Sequence, residues 1–191
     1  MAFDDTEIEI KLAASEVDFE RVQSALAATA SLKSETDQSD HYFVPKNSSY
    51  LTERYPYEWL SVRDRGAKAT VNYKHFYPEG AEHHSHCDEL DVPIGDVGRM
   101  IQLLERAGFE LVVTVRKRRQ MYAVADDFEV SLDVVDDLGH FIEIEAIRDQ
   151  GGVEKTREAV ITYATSLGLS IQAVDPRGYP YQMLRQKGLV G

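Results

Sequence analysis

The residues with chemical reach begin at Glu7, Glu9 and Lys11, three charges at every second position of Glu7-Ile8-Glu9-Ile10-Lys11-Leu12. Period two belongs to a strand, whose successive side chains point to opposite faces. The charges therefore share one face, opposite Ile8, Ile10 and Leu12. Carboxylate oxygens suit a hard cation, and an ammonium beside them suits a phosphate oxygen. A lone strand of this kind is equally a solvated surface strand, and repetition decides between the two.

The same alternation returns at Leu60 to Arg65, Val71 to Lys74, Glu89 to Val92, Phe128 to Val134 and Ile142 to Glu145. Each segment sets a charged or polar file against an aliphatic or aromatic one: Arg63 and Arg65; Asn72 and Lys74; Glu89 and Asp91; Glu129, Ser131 and Asp133; Glu143 and Glu145. If helices cover the apolar faces, the charged faces turn towards each other and line an interior. The expectation is an α+β fold, an antiparallel β-barrel with a polar interior and helices packed outside, formed by residues 1–191 as a single domain.

An interior holding Glu7, Glu9, Glu89, Asp91, Glu129, Asp133, Glu143 and Glu145 needs neutralising, because ionised carboxylates do not share a desolvated space. Lys11, Arg63, Arg65, Lys74, Lys117 and Arg119 are available, as is a bound divalent metal. Oxygen ligands without histidine favour Mg²⁺ or Mn²⁺. Internal salt bridges alone would satisfy the charges, yet buried pairs often fail to repay their desolvation. A linear triphosphate gives the arrangement a purpose, held by arginine forks and lysine ammoniums while metal bridges it to the carboxylates.

Composition bounds the reading. A net charge of −12 disfavours nucleic acid and anionic membranes as partners. Cys87 is the single cysteine, which excludes an intramolecular disulfide. The start Met1-Ala2-Phe3-Asp4-Asp5 is acidic where a signal peptide is basic, and no apolar run approaches ~20 residues, so the expected address is the cytoplasm, with no membrane role. His83, His84 and His86 share a loop with Cys87, but their spacing matches no zinc signature, and solvated histidines are the simpler reading.

The positioning elements follow from caps and periods. Ser15 caps a predicted helix to about Ala28 bearing Val17, Phe19, Val22, Ala25 and Leu26. Ser31 to Asp40 reads as a polar turn, and His41 to Val44 as a strand stopped by Pro45. Glu58 to Arg65 and Lys68 to Phe76 form a hairpin about Gly66 and Ala67. A second helix, about Asp96 to Ala107, buries Ile94, Val97, Met100, Ile101, Leu103 and Leu104, with Gly108 past its end. Phe109 to Val124 is a long strand or a bent pair; within it Lys117 and Arg119 share one face, Arg116 and Arg118 the other. Glu129 to Val135 and Phe141 to Ile147 are adjacent strands, followed by a helix from about Glu154 to Leu167 and a short C-terminal segment.

These residues resemble a known family. Glu7-Ile8-Glu9-Ile10-Lys11 is similar to the ExExK signature of the CYTH superfamily, the triphosphate tunnel metalloenzymes that include class IV adenylyl cyclases and thiamine triphosphatases. The resemblance continues through His41-Tyr42-Phe43, Leu60 to Arg63, Asn72-Tyr73-Lys74, Cys87 to Asp91, Val115 to Tyr122, Val130 to Asp133 and Leu138 to Glu145, nearly the whole chain. It implies an eight-stranded antiparallel tunnel. It implies Glu7, Glu9, Asp133, Glu143 and Glu145 as metal carboxylates, and Lys11, Arg63, Arg65, Lys74, Lys117 and Arg119 as triphosphate ligands. It further implies Glu7, Glu9, Lys11, Lys74 and Asp133 as the catalytic set, with Glu89 as a further tunnel acid. Arg177 lies where relatives carry a basic residue before a serine and tyrosine; here Gly178 stands for the serine.

The second half, with Val115 to Tyr122 and Leu132-Asp133-Val134-Val135-Asp136-Asp137-Leu138-Gly139, is most similar to class IV adenylyl cyclases. That likeness implies cyclisation of ATP to cyclic AMP and pyrophosphate with Mg²⁺ or Mn²⁺. Hydrolysis of inorganic triphosphate, thiamine triphosphate or a nucleoside triphosphate needs the same clamp, and a non-catalytic polyphosphate-binding module is the third reading. The expected partner is a small-molecule triphosphate, ATP favoured, bound by a monomer or homodimer.

Overall fold

The computed structural model describes residues 6–47, 50–173 and 178–190. In chain order the elements are β1 (Thr6–Glu7), β2 (Glu9–Ala14), α1 (Glu16–Thr29), β3 (Ser31–Pro45), β4 (Glu58–Asp64), β5 (Ala69–Tyr77), β6 (His86–Pro93), α2 (Val97–Arg106), β7 (Phe109–Val124), β8 (Phe128–Val135), β9 (Gly139–Ala146), α3 (Val153–Ser166), a short 3-10 turn at Ile171–Ala173, and α4 (Gly178–Gln186). The α+β class and its antiparallel barrel strands agree with the alternation. The count is nine strands in place of eight, because Ile8 separates Thr6–Glu7 from Glu9–Ala14.

The chain forms two compact units, one from Met1–Thr36 and Arg118–Pro176, the other from Asp37–Lys117 and Arg177–Gly191. In the first, β7, β8, β9 and β2 are successive neighbours. Ile10, Leu12, Val130, Leu132, Ile142 and Ile144 form the apolar face, and α1 and α3 cover it with Phe19, Val22, Leu26, Val160 and Ala164. Each of these side chains other than Ala164, fully buried, contributes about 1.5–3 kcal/mol. Ser15 caps α1 as expected, its hydroxyl accepting from the Asp18 N–H at 3.1 Å. Val17 is 74% exposed, so the covering stripe is narrower than the sequence suggests.

In the second unit the neighbours run β6, β5, β4, β3, β7. Phe43, Val62 and Leu104 are buried together, with Leu60, Val71, Val97, Met100, Ile101 and Phe109 packed against them. Asp96 caps α2, its side chain accepting from the Arg99 N–H at 2.9 Å. Leu103, expected in this core, is exposed. The β4–β5 turn has Gly66 at φ +72° with its N–H on Asp64 Oδ1, a conformation that favours glycine.

Two segments differ from expectation. Ser31 to Asp40 is strand throughout, the first part of the 15-residue β3. Its polar residues read as a turn because some are exposed, while Gln38 and Asp40 are buried. The C-terminal segment is a helix, α4, with Tyr179, Tyr181, Met183 and Leu184 buried. Pro180 is tolerated in its first turn, where N–H groups lack helical acceptors.

Candidate active site

The β2–β9–β8 register builds the acidic face of the first unit. Glu9 pairs across with Glu145, and Glu145 with Glu129, so three carboxylates form one row. The next row is Lys11, Glu143 and Ser131, and Asp133 stands opposite Phe141 in the one after. Like charges directly opposite each other on a sheet are destabilising, so the carboxylate row favours a cation. Glu7, on β1, precedes Ile8 and lies outside the β2–β9 pairing.

The second row is already neutralised. Lys11 Nζ lies 2.9 Å from Glu143 Oε1. Arg119 forks onto Asp133, Nε to Oδ1 at 2.7 Å and Nη2 to Oδ2 at 2.5 Å, and also donates to Glu143 Oε2. Asp133 is fully buried. Two expected phosphate ligands and two expected metal carboxylates are thus brought together as ion pairs. The face split predicted for the basic run is observed: Arg119 points to these acids, while exposed Arg118 bonds to Glu35.

In the second unit the cations gather on Glu89. Arg63 Nη1 donates to Glu89 Oε1 at 2.8 Å, Asn72 Nδ2 to the same oxygen at 2.6 Å, and Lys74 Nζ lies 3.7 Å away. The register explains the convergence, since Lys74 pairs with Glu89 and Asn72 with Asp91. Burial works against the Glu89 carboxylate, but the charges of Lys74 and Arg63 and the hydrogen bonds from Asn72 and Arg63 bring its pKa down to about 2. Burial likewise opposes the Arg63 charge, and Asp40, then Glu89, more than offset it and move its pKa upward. Arg65 is half-buried just beyond β4, its N–H on the Lys68 carbonyl. Lys117 is buried with Nζ 5.1 Å from the Tyr179 ring centroid, a cation–π contact. Arg177 lies outside the described residues.

Sequence reasoning missed Asp40, opposite Arg63 in the β3–β4 register and 3% exposed. Period two within Ser31 to Asp40 was its signal. Asn72 and Glu129 stood on the charged files without an assigned role. No three His, Cys, Asp or Glu side chains form a ready ligand cluster among the described residues, the histidine loop included. The donor set still fits a magnesium-like ion, which commonly takes one or two carboxylates and completes its shell with water and substrate phosphate. Glu9 and Glu145, all-oxygen donors directly opposed, meet that requirement.

A CYTH domain model matches residues 5–179. The chain belongs to the CYTH family. CYTH members are adenylate cyclases or triphosphatases that act on triphosphates, generally with divalent metals. Adenylate cyclase CyaB of Aeromonas hydrophila is 26% identical over 175 residues, 91% of this chain and 86% of that protein. A Methanocaldococcus jannaschii protein, MJ0240, whose name proposes an adenylate cyclase, is 31% identical over 123 residues, 64% of this chain and 69% of its own. The solved structure of PH1819 from Pyrococcus horikoshii OT3 is similar at a TM-score of 0.79 and 26% identity, covering 94% of this chain and 99% of that one. No helix among the described residues is long and apolar enough to cross a membrane.

Proposed function

We propose that this CYTH protein is a metal-dependent triphosphate-processing enzyme that converts ATP to cyclic AMP and pyrophosphate, its two units working as one domain. The observation that carries the reading is the in-register carboxylate row Glu9, Glu145 and Glu129 beside the Lys11, Glu143, Arg119 and Asp133 ion pairs. The likeness to Adenylate cyclase CyaB supports cyclisation in particular.

In the proposed reaction the ribose 3′-oxygen bonds to the α-phosphorus, the bond from that phosphorus to the α–β bridging oxygen breaks, and pyrophosphate leaves. Glu7, Glu9, Asp133, Glu143 and Glu145 are the carboxylates that would hold Mg²⁺ or Mn²⁺, which supplies Lewis acidity at phosphate oxygens. A carboxylate of the Glu9 row receives the 3′-hydroxyl proton. Lys11, Arg63, Arg65, Lys74, Lys117, Arg119 and Arg177 hold the triphosphate and its developing charge. Glu89 keeps Arg63 and Lys74 aligned until the substrate arrives. Hydrolysis is the second reading: the same groups bind only phosphate and metal, so water attacking a terminal phosphorus would use them equally. The Hippeastrum protein HpAC1, which shares the fold at 18% identity, is described as revealing a dominant triphosphatase activity.

Incubation with Mg²⁺ or Mn²⁺ and ATP, inorganic triphosphate or thiamine triphosphate, followed by product separation, tests the reading. Cyclic AMP with pyrophosphate is expected, and Arg63→Ala or Glu145→Gln should abolish it. Orthophosphate without cyclic product selects the hydrolase. Absence of metal-dependent turnover of any triphosphate overturns both.

A further inference from the structure

The charged face of the second unit changes character along its strands. It is polar through the Arg63–Thr70 and Ser61–Asn72 pairs, then carries an indole beside an ammonium at Trp59–Lys74. At Phe76–Cys87 it becomes apolar. Tyr42 meets Trp59 edge-on with ring centroids 5.7 Å apart, and the His84 ring lies tilted over Phe76 at 5.0 Å. Trp59 and Cys87 are buried.

His84 is the unexplained member. Both its ring nitrogens are buried without a hydrogen-bond partner among the described residues. Burial, and secondarily the nearby His83, lowers its pKa, so at neutral pH the ring offers one donor and one acceptor. Buried polar atoms without partners are costly and point to a missing one.

We infer that this aromatic end seats the purine base of a nucleoside triphosphate, with Trp59 and Phe76 against the ring and one His84 nitrogen bonding its edge. The inference rests on the triphosphate reading of the same face. At a rise of ~3.3 Å per residue, Phe76 stands about 7 Å beyond Lys74 along β5, a distance that a ribose bridges. A purine edge carries both donors and acceptors, and a nitrogen of a neutral imidazole can meet either kind. Inorganic triphosphate has nothing to place there. The base enters as the His84 ring leaves the face of Phe76, a movement of the connection between β5 and β6, which turns at Gly80 with φ +65°.

Trp59 is the only tryptophan, so its fluorescence reports on this end. Stopped-flow titrations before turnover, with Mg²⁺ and either ATP, inorganic triphosphate or adenosine, test the inference. ATP and adenosine should quench Trp59, and ATP should bind more tightly than inorganic triphosphate. His84→Ala and Phe76→Leu, checked for folding by circular dichroism, should each raise the ratio of the ATP to the triphosphate Kd about tenfold. Triphosphate binding as tight as ATP, with adenosine silent, overturns the base site and leaves the triphosphate reading standing. Quenching by adenosine when neither triphosphate binds keeps the base site and removes the triphosphate reading. Silence from all three ligands overturns both.

Discussion

Glu89→Gln removes the carboxylate on which Arg63, Asn72 and Lys74 converge. Burial penalises that carboxylate, but Lys74, Arg63 and Asn72 take its pKa from the ordinary 4.5 to about 2. A carboxyl with a depressed folded pKa is protonated more readily in the unfolded chain. Its contribution is therefore complete above the unfolded value and is lost as pH falls from 4.5 towards about 2. That gap corresponds to about 3 kcal/mol, and its side chain, 23% exposed, is screened only in part. Truncating one member of a buried pair independently suggests about 3–5 kcal/mol. Urea unfolding followed by circular dichroism should place Glu89→Gln about 3 kcal/mol below the wild type at pH 7, with the difference narrowing to roughly half at pH 3. Equal stabilities at pH 7, or a gap that acid leaves unchanged, would refute the claim that Lys74 and Arg63 hold Glu89 ionised.

Two further substitutions probe the first unit. Asp133→Asn leaves the Arg119 guanidinium with Glu143 as its remaining charged partner of the two, and should cost about 3 kcal/mol, lowering Tm by roughly 9 °C in differential scanning calorimetry; a change under about 1 kcal/mol would mean that the fork contributes nothing net. Glu145→Gln removes a carboxylate of the proposed metal set, so the Tm rise on adding Mn²⁺ to the wild type should disappear in this variant. An undiminished Mn²⁺ response would take Glu145 out of the metal set.

Much of this was legible because alternation is a local property. Charges at every second residue predict a two-faced strand whatever lies elsewhere, and the capping signal at Ser15 depends only on the residue three positions on. The split of Lys117 and Arg119 from Arg116 and Arg118 follows from the same period. Ser31 to Asp40 escaped because a polar strand lacks the apolar file that marks one. Val17 and Leu103 misled because an aliphatic side chain at a helix margin looks like a core residue until its neighbours are known.

Sequence alone determined which side chains share a strand face, and that those faces carry carboxylates and cations. Only the tertiary structure decided the pairings: Glu9 with Glu145 and Glu129, Lys74 with Glu89, Arg119 with Asp133, and His84 over Phe76. The reason is physical. Facing is set by the two-residue pleat within one strand, whereas register is set by how distant strands slide to bury their apolar files, and no short stretch of chain contains that information.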